Sequence, residues 1–421
     1  MANNPETLKP ETLKPTRLPL LPGLDVLRGL AVILVVVLHW WGHRAWMWEP
    51  GWRNGLADFS FSPDYYPYTY FVVAGKFGVQ LFFVISGFCI MWSQMGRNTN
   101  RPWVGKFYWQ RFWRIAPPYL VVLAVSLRLR MDFDPSHSTL TEQIWTHAGF
   151  IQHYFPYCIM AVNVPFWTLG IEFQLYLLFP VYFWLHRKLG TLNASLVLLP
   201  LSIAFQPQFL PALLKPYLPW WFTLDYNVFY YWFAWSLGAA IAEARAREVR
   251  FFRIPGWLLL LGAPMLGATV YFQAHLWIEW TLVPLYLAAV LDYSVSQPAK
   301  LFSHWVARCY AFLGKISYSL YLWHFPLMAY FSHEFFWWTY QNHIFRKMGE
   351  EKIYLVCYPV YLVCIILLSW LSYRFLEMPA VQVGKWLLKK VSGAKLQVSE
   401  IPINESASSV KTAGTSLEPE T

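Results

Sequence analysis

Charge is what this 421-residue sequence has least of. Asp, Glu, Lys and Arg make up 13% of it, against about 25% in ordinary soluble domains. With 57% hydrophobic and 20% aromatic residues, that shortage excludes a disordered chain and weighs against a soluble one. Cysteine is scarce too. The five, at 89, 158, 309, 357 and 364, are odd in number, widely scattered and without a CxxC. Neither a disulfide framework nor a zinc site is indicated. No apolar run opens the chain. Residues 1–20 are polar and proline-rich, with a tandem ETLKP at 6–10 and 11–15. No cleavable signal peptide is expected there, and the first apolar span reads as an uncleaved anchor.

Several catalytic signatures are missing as well. No Walker or GxGxxG phosphate loop occurs, and His333-Glu334 lacks the second histidine of HExxH. Ser86 lies outside any GxSxG elbow, so a hydrolase nucleophile is not expected. No histidine is followed five residues later by Asp, which removes the soluble glycerolipid acyltransferase pattern. The acidic residues do not cluster as metal ligands, so no metal is expected.

What the chain does have is apolar length. Ten stretches are each about long enough for a membrane helix. They lie near 24–42, 70–93, 112–129, 166–186, 192–209, 220–243, 255–273, 276–293, 308–332 and 354–376. The fold class is therefore all-α, a polytopic membrane protein with about ten transmembrane helices. Residues 143–160 are aromatic and apolar but short, and read as a half-helix or a lid over a cavity. Three regions follow: a polar cytoplasmic tail (1–20), a transmembrane domain (21–380) and a disordered cytoplasmic tail (391–421). No soluble catalytic domain is expected at either end.

The net charge of +10 fits this plan better than nucleic-acid binding. With the N-terminus inside, 24 of the 33 Lys and Arg fall in inside segments and 9 outside. The asymmetry favours N-in and C-in with an even number of spans. The expected location is the cell (inner or plasma) membrane, with the lipid bilayer as a partner and no nucleic acid.

Ionisable groups inside spans are expensive, and each is a functional hypothesis. Arg28 and His39 are eleven residues apart in the first helix, about three turns plus 20°, so both face the same way. About 16 Å of axis separates them, with Arg28 near the cytoplasmic end and His39 in the outer half. His39 reads either as a functional group or as an interfacial histidine beside Trp40 and Trp41. Arg111 and Arg114, at i and i+3, stack on one face. They suit phosphate recognition by planar two-pronged hydrogen bonds, or plain cytoplasmic anchoring. Glu172 shares a face with Thr168 and Tyr176 at i, i+4 spacing and needs a buried partner. His39, at similar depth, is one candidate, as a catalytic base oriented by the acid. A structural ion pair is the other reading. Ser317, Tyr321 and His324 line one helix face, which interhelical hydrogen bonding explains well. Gly78, Ser86 and Gly87 suit close helix packing.

Six segments, in order, resemble the acyltransferase-3 family of integral membrane acyltransferases, which includes O-antigen and peptidoglycan O-acetylases and macrolide acylases. They are Leu24-Asp25-Val26-Leu27-Arg28-Gly29 with His39, Phe77-Gly78-Val79 through Phe88, Arg111-Phe112-Trp113-Arg114, Trp167-Thr168-Leu169 with Glu172, Leu313 through His324, and Ser372 through Pro379. The resemblance implies transfer of an acyl group, commonly acetyl, from cytoplasmic acyl-CoA to a hydroxyl of an extracytoplasmic or lipid-linked glycan. It implies His39 as catalytic base or acyl-handling residue, and Glu172 as the matching acidic position. It implies Arg28, Arg111 and Arg114 as the donor-binding cations. The alternative from another class is a proton-coupled secondary transporter using the same His, Glu and Arg residues. The absence of an internal repeat counts against it.

Overall fold

Long apolar runs leave the backbone one economical way of satisfying its own N–H and C=O groups. In the computed structural model, which describes residues 21–48, 74–95, 104–129, 138–271, 276–331, 338 and 350–392, every regular element is helical. The helices are α1 (Pro22–Trp48), α2 (Phe77–Gln94), α3 (Val104–Leu129), α4 (Leu140–Ala148), α5 (Phe166–Leu189), α6 (Thr191–Ala204) and α7 (Val228–Ala246). There follow α8 (Gly256–Tyr271), α9 (Leu276–Ser296), α10 (Trp305–Lys315), α11 (Ser317–Tyr330), α12 (Glu350–Ser372) and α13 (Met378–Ser392). One-turn pieces such as Leu210–Leu214 join some of them.

Over the described residues, each of the ten predicted stretches contains helix, though not along its whole length. Five segments are long and apolar enough to cross a membrane: Pro22–Trp40, Ala74–Gln94, Val104–Leu129, Phe166–Leu189 and Val356–Lys390. The shorter apolar helices Thr191–Ala204, Gly256–Thr269 and Thr281–Ser296 accompany them. The all-helical membrane architecture stands at that coarser level. The tails 1–20 and 393–421, most of loop 43–70 and residues 96–103 lie outside the described residues.

Edges differ from expectation for local reasons. Helix α3 starts at Val104, so Arg111 and Arg114 sit inside a helix instead of opening one. Helix α7 starts at Val228 because the Asn227 side chain accepts from the Tyr230 N–H at 3.0 Å, an N-cap that ends the preceding loop. The ninth stretch is broken at Ile316 into α10 and α11. The tenth passes through a π-helical turn, Tyr373–Glu377, into α13. Of the stretch 143–160, read as a half-helix or a lid, only residues 143–148 lie in a regular α-helix, as part of α4. Its capping box pairs Thr139 with Glu142: the Glu142 N–H donates to Thr139 Oγ1 at 3.2 Å, and the Thr139 N–H donates to Glu142 Oε2 at 2.6 Å.

Helix α2 is buried on nearly every side, and glycine makes that possible. A Cβ on Gly87 would sit 1.9 Å from the Trp235 carbonyl oxygen, and one on Gly238 would sit 1.8 Å from that of Val84. The backbones of α2 and α7 therefore touch through reciprocal glycines, the small-residue contact that drives helix association in lipid. Gly29 and Gly314 serve α1 and α10 in the same way, against Tyr310 and Asp25. Gly78 packs against Ala31 of α1. Two of the three small residues expected at helix contacts, Gly78 and Gly87, are found there; the third, Ser86, faces a cavity.

Candidate active site

The cavity lies between α1, α2, α3, α5 and α11 and holds about 840 Å³ of empty space, its mouth included. Along α2 its wall runs from Ile90 to Val79, about 16 Å of helix. Val79, Phe82, Phe83, Ile85, Ile90, Ile115 and Leu169 supply apolar wall. Arg28, Arg111, Arg114, Glu172, Ser86 and Tyr176 supply most of the polar chemistry.

The cationic end takes its guanidiniums from α1 and α3 and the groups that hold them from α1, α2, α3 and α5. Arg28 donates from Nη2 to Cys89 Sγ at 2.8 Å and from Nη1 to Asp25 Oδ1 at 3.4 Å. Arg111 lies over the rings of Phe107 and Tyr176, at 5.5 and 5.6 Å from their centroids. Its Nη2 donates to Ser93 Oγ at 3.4 Å. Arg114, one turn on, is exposed at the mouth. The i, i+3 stacking expected of the Arg pair therefore delivers both guanidiniums to one cavity.

Thr168, Glu172 and Tyr176 line the same cavity from α5, as their spacing predicts. Glu172 Oε1 accepts from Ser86 Oγ at 3.0 Å and from Tyr176 OH at 2.5 Å. At the other end, the Thr168 and Tyr321 hydroxyls are 2.6 Å apart, and the Tyr321 ring packs edge-on to Phe82.

His39 is placed differently from expectation. Its ring folds back along α1, with Nδ1 2.9 Å from the Val35 carbonyl oxygen and 3.3 Å from His324 Nε2. The pairing of His39 with Glu172 is not formed, because Glu172 is held by Ser86 and Tyr176. His39 is not among the cavity-lining residues. It lies beyond Tyr321, whose ring is 5.5 Å from that of His324. Arg28, Arg111, Arg114 and Glu172 share one chamber; His39 adjoins it.

Some residues of the site escaped the sequence reading. Ser86 carried a packing role only, and Cys89 none. Glu377, 4% exposed, accepts from Ser319 Oγ at 2.9 Å, within electrostatic reach of Arg114 and Arg28. Its signal was available, since an acid closing an apolar stretch needs a partner. The π turn that carries it inward left no periodicity to read.

On the α4 side, outside the spans, His147 and His153 are fully buried. Gln174 Nε2 donates to His153 Nε2 at 3.0 Å, with the amide oriented by Tyr154 OH donating to Gln174 Oε1 at 2.8 Å. Burial pushes both histidines down to about 4, so each is neutral at pH 7. Among the described residues, no group of three or more His, Cys, Asp or Glu side chains is placed to hold a metal ion.

Comparison with known proteins sets this geometry in context. An acyltransferase-3 family model, described as an acyltransferase domain, matches residues 21–374. The chain is 23% identical over 412 residues to O-acetyltransferase OatA of Staphylococcus aureus, covering 86% of this chain and 58% of that protein. It is 23% identical over 348 residues to peptidoglycan O-acetyltransferase OatA of Listeria monocytogenes, covering 73% of this chain and 49% of that protein. It is 28% identical over 185 residues to acyltransferase MdmB of Streptomyces mycarofaciens, covering 42% of each. The chain thus spans about half the length of the curated relatives it matches. No solved structure matches it.

Proposed function

The chain belongs to the acyltransferase-3 family and is an acyltransferase, and from that premise we propose that it moves an acyl group, acetyl in the first instance, from cytoplasmic acyl-CoA to a hydroxyl of an extracytoplasmic or lipid-linked glycan. The observation that carries this reading is the convergence of Arg28, Arg111 and Arg114 on one end of a cavity whose remaining wall is largely apolar. Guanidiniums grip phosphate oxygens by paired hydrogen bonds, and an apolar wall suits a pantetheine arm and its acyl group.

In this reading the arginines hold the donor's phosphates on the cytoplasmic side. Glu172, fixed by Ser86 and Tyr176, keeps the cationic end ordered. His39 takes the proton of the acceptor hydroxyl as its oxygen attacks the thioester carbonyl. The C–S bond breaks, and the departing thiolate recovers that proton from His39. The relatives' names, O-acetyltransferase and peptidoglycan O-acetyltransferase, favour acetyl as donor group and a carbohydrate as acceptor. The protein resides, on this reading, in the cell membrane as a multi-pass protein with both ends inside.

The test is acyl transfer from labelled acetyl-CoA in membranes carrying wild type or His39→Ala, with expression matched by blot. Label entering a glycan or lipid fraction only with wild type, with release of CoA thiol, is the expected result. Equal labelling in both would remove His39 from the chemistry. A proton-coupled transporter would release no thiol in either.

A further inference from the structure

Two carbonyl oxygens decide which nitrogens of the histidine pair carry protons. His39 Nδ1 lies 2.9 Å from the Val35 carbonyl oxygen, and His324 Nδ1 lies 2.7 Å from that of Tyr321. A carbonyl only accepts, so each Nδ1 donates. A neutral imidazole has one N–H, so in the neutral pair both Nε2 atoms bear lone pairs. The 3.3 Å contact between His39 Nδ1 and His324 Nε2 then has one direction: His39 donates, sharing its N–H between Val35 and His324. His39 Nε2 is left as the atom that can take a proton.

We propose that His324 is a positioning residue for His39, acting through that ring and not on substrate. The proposal rests on the reading of His39 as the base. When His39 Nε2 takes the hydroxyl proton, the ring becomes a cation, and its Nδ1–H bond to His324 Nε2 becomes charge-assisted and stronger. His324 thus does for His39 what a buried carboxylate does for the histidine of a Ser-His-Asp triad: it holds one orientation and steadies the imidazolium. Among the described residues, neither ring is hydrogen-bonded to a carboxylate. His324 ends the cycle unchanged, because the proton on His39 Nε2 passes to the leaving thiolate.

The surroundings fit a residue built to stay in place. His324 is 0% exposed. The Tyr361 hydroxyl donates to its backbone oxygen at 2.9 Å. The Phe325 ring meets His39 edge-on at 5.9 Å. Asn163 Nδ2 donates to the Leu322 carbonyl at 3.3 Å, tying α11 to the segment before α5.

The experiment compares His324→Phe, His324→Leu and His324→Gln in the full chain in membranes. Acetyl-CoA serves as donor and a cell-envelope glycan fraction as acceptor, with His39→Ala as the reference. Equilibrium binding of labelled acetyl-CoA identifies variants that fold. Phe keeps ring volume and Leu much of the apolar bulk, but neither accepts a hydrogen bond; Gln keeps an acceptor. The expected result is donor binding within about twofold of wild type in every folded variant. CoA thiol release should fall about 10–100-fold in Phe and Leu, a share of what a positioned base contributes, and stay within about fivefold in Gln. Wild-type turnover in Phe or Leu, with His39→Ala inactive, overturns the role of His324 alone. So does a Gln variant that binds donor but is as slow as Phe. Wild-type turnover in His39→Ala overturns the reading of His39 itself, and the pair's role with it.

Discussion

Three guanidiniums at one end of one cavity make different demands on their neighbours, and single substitutions separate them. Arg28 is tied to Asp25 and Cys89, Arg111 is sandwiched against Phe107 and Tyr176, and Arg114 stands at the mouth. A planar fork matches phosphate where a lysine point charge does not. Arg111→Lys and Arg114→Lys are therefore expected to raise the KM for acetyl-CoA about tenfold each, with kcat changed far less. Steady-state CoA release at varied donor checks this, and an unchanged KM in both would move the donor elsewhere. Glu172 poses the opposite problem, since it satisfies two hydroxyls at once. Leu at this position leaves the Ser86 and Tyr176 O–H groups buried without their acceptor, a cost of about 1–3 kcal/mol each. Gln keeps an acceptor oxygen. Thermal melts in detergent should place Glu172→Leu well below wild type and Glu172→Gln close to it. The residue types of this cavity were legible in the sequence, because an Arg, Glu or His in an apolar stretch stands out. Their partners were not. Whether His39 meets Glu172 or His324 depends on helix rotation and on a ring folded back to an i−4 carbonyl, which residue spacing leaves undetermined.

Helices fix where those side chains point, and here existence was easier to read than edges. Hydrophobic length marked where helix lies without fixing how many helices cross: five segments are long and apolar enough to do so. The start of α3 at Val104, the break at Ile316 and the π turn at Tyr373–Glu377 each depend on capping or packing that apolar length does not encode. The close contact of α2 on α7 depends on two glycines. Gly87→Ala would drive a methyl into the Trp235 carbonyl, so a sharp loss of folded protein is expected. Gly105→Ala meets nothing within 4 Å and should leave yield unchanged. Size-exclusion profiles of the two proteins check the pair. Helix α4 and the turn after it carry a pH signature. His147 and His153 are held down at about 4 by burial, below the ordinary value of about 6.5. Between those values the unfolded chain binds protons that the folded chain does not, so stability is full above about pH 6.5 and declines as pH falls toward 4. At pH 5 the loss is about 2 kcal/mol per histidine. The melting temperature should therefore fall between pH 7 and pH 5, and His147→Gln with His153→Gln should shrink that fall. An equally steep fall in the double variant would assign it to other groups.

The whole molecule has a direction, and the cavity's use depends on it. The proposed chemistry needs the three arginines on the side where acyl-CoA is found and His39 toward the acceptor. Along α2 the lining runs from Cys89, bonded to Arg28, to Phe82, packed on Tyr321, so the cationic end and the histidine pair lie at opposite ends of one axis. Only one orientation in the bilayer serves the reaction. The expectation from the sequence points the same way: with the chain N-in and ten spans, 24 of the 33 Lys and Arg fall on the side of Arg28. Five segments reach spanning length and composition by themselves, and the shorter apolar helices must cross as well for both ends to face the cytoplasm with the arginines. Single cysteines at Asn98→Cys, Ser409→Cys and Asn54→Cys test this, in a background with the exposed Cys309 replaced by Ser. A membrane-impermeant maleimide applied to intact cells should label only position 54. Positions 98 and 409 should react once the membrane is opened. Labelling of position 98 in intact cells would put the arginines on the acceptor side, and cytoplasmic acyl-CoA could then no longer be the donor they hold. Labelling of positions 54 and 409 but not 98 would leave the donor side intact and make the number of crossings odd, which places one of the short apolar helices within a single leaflet instead of across both.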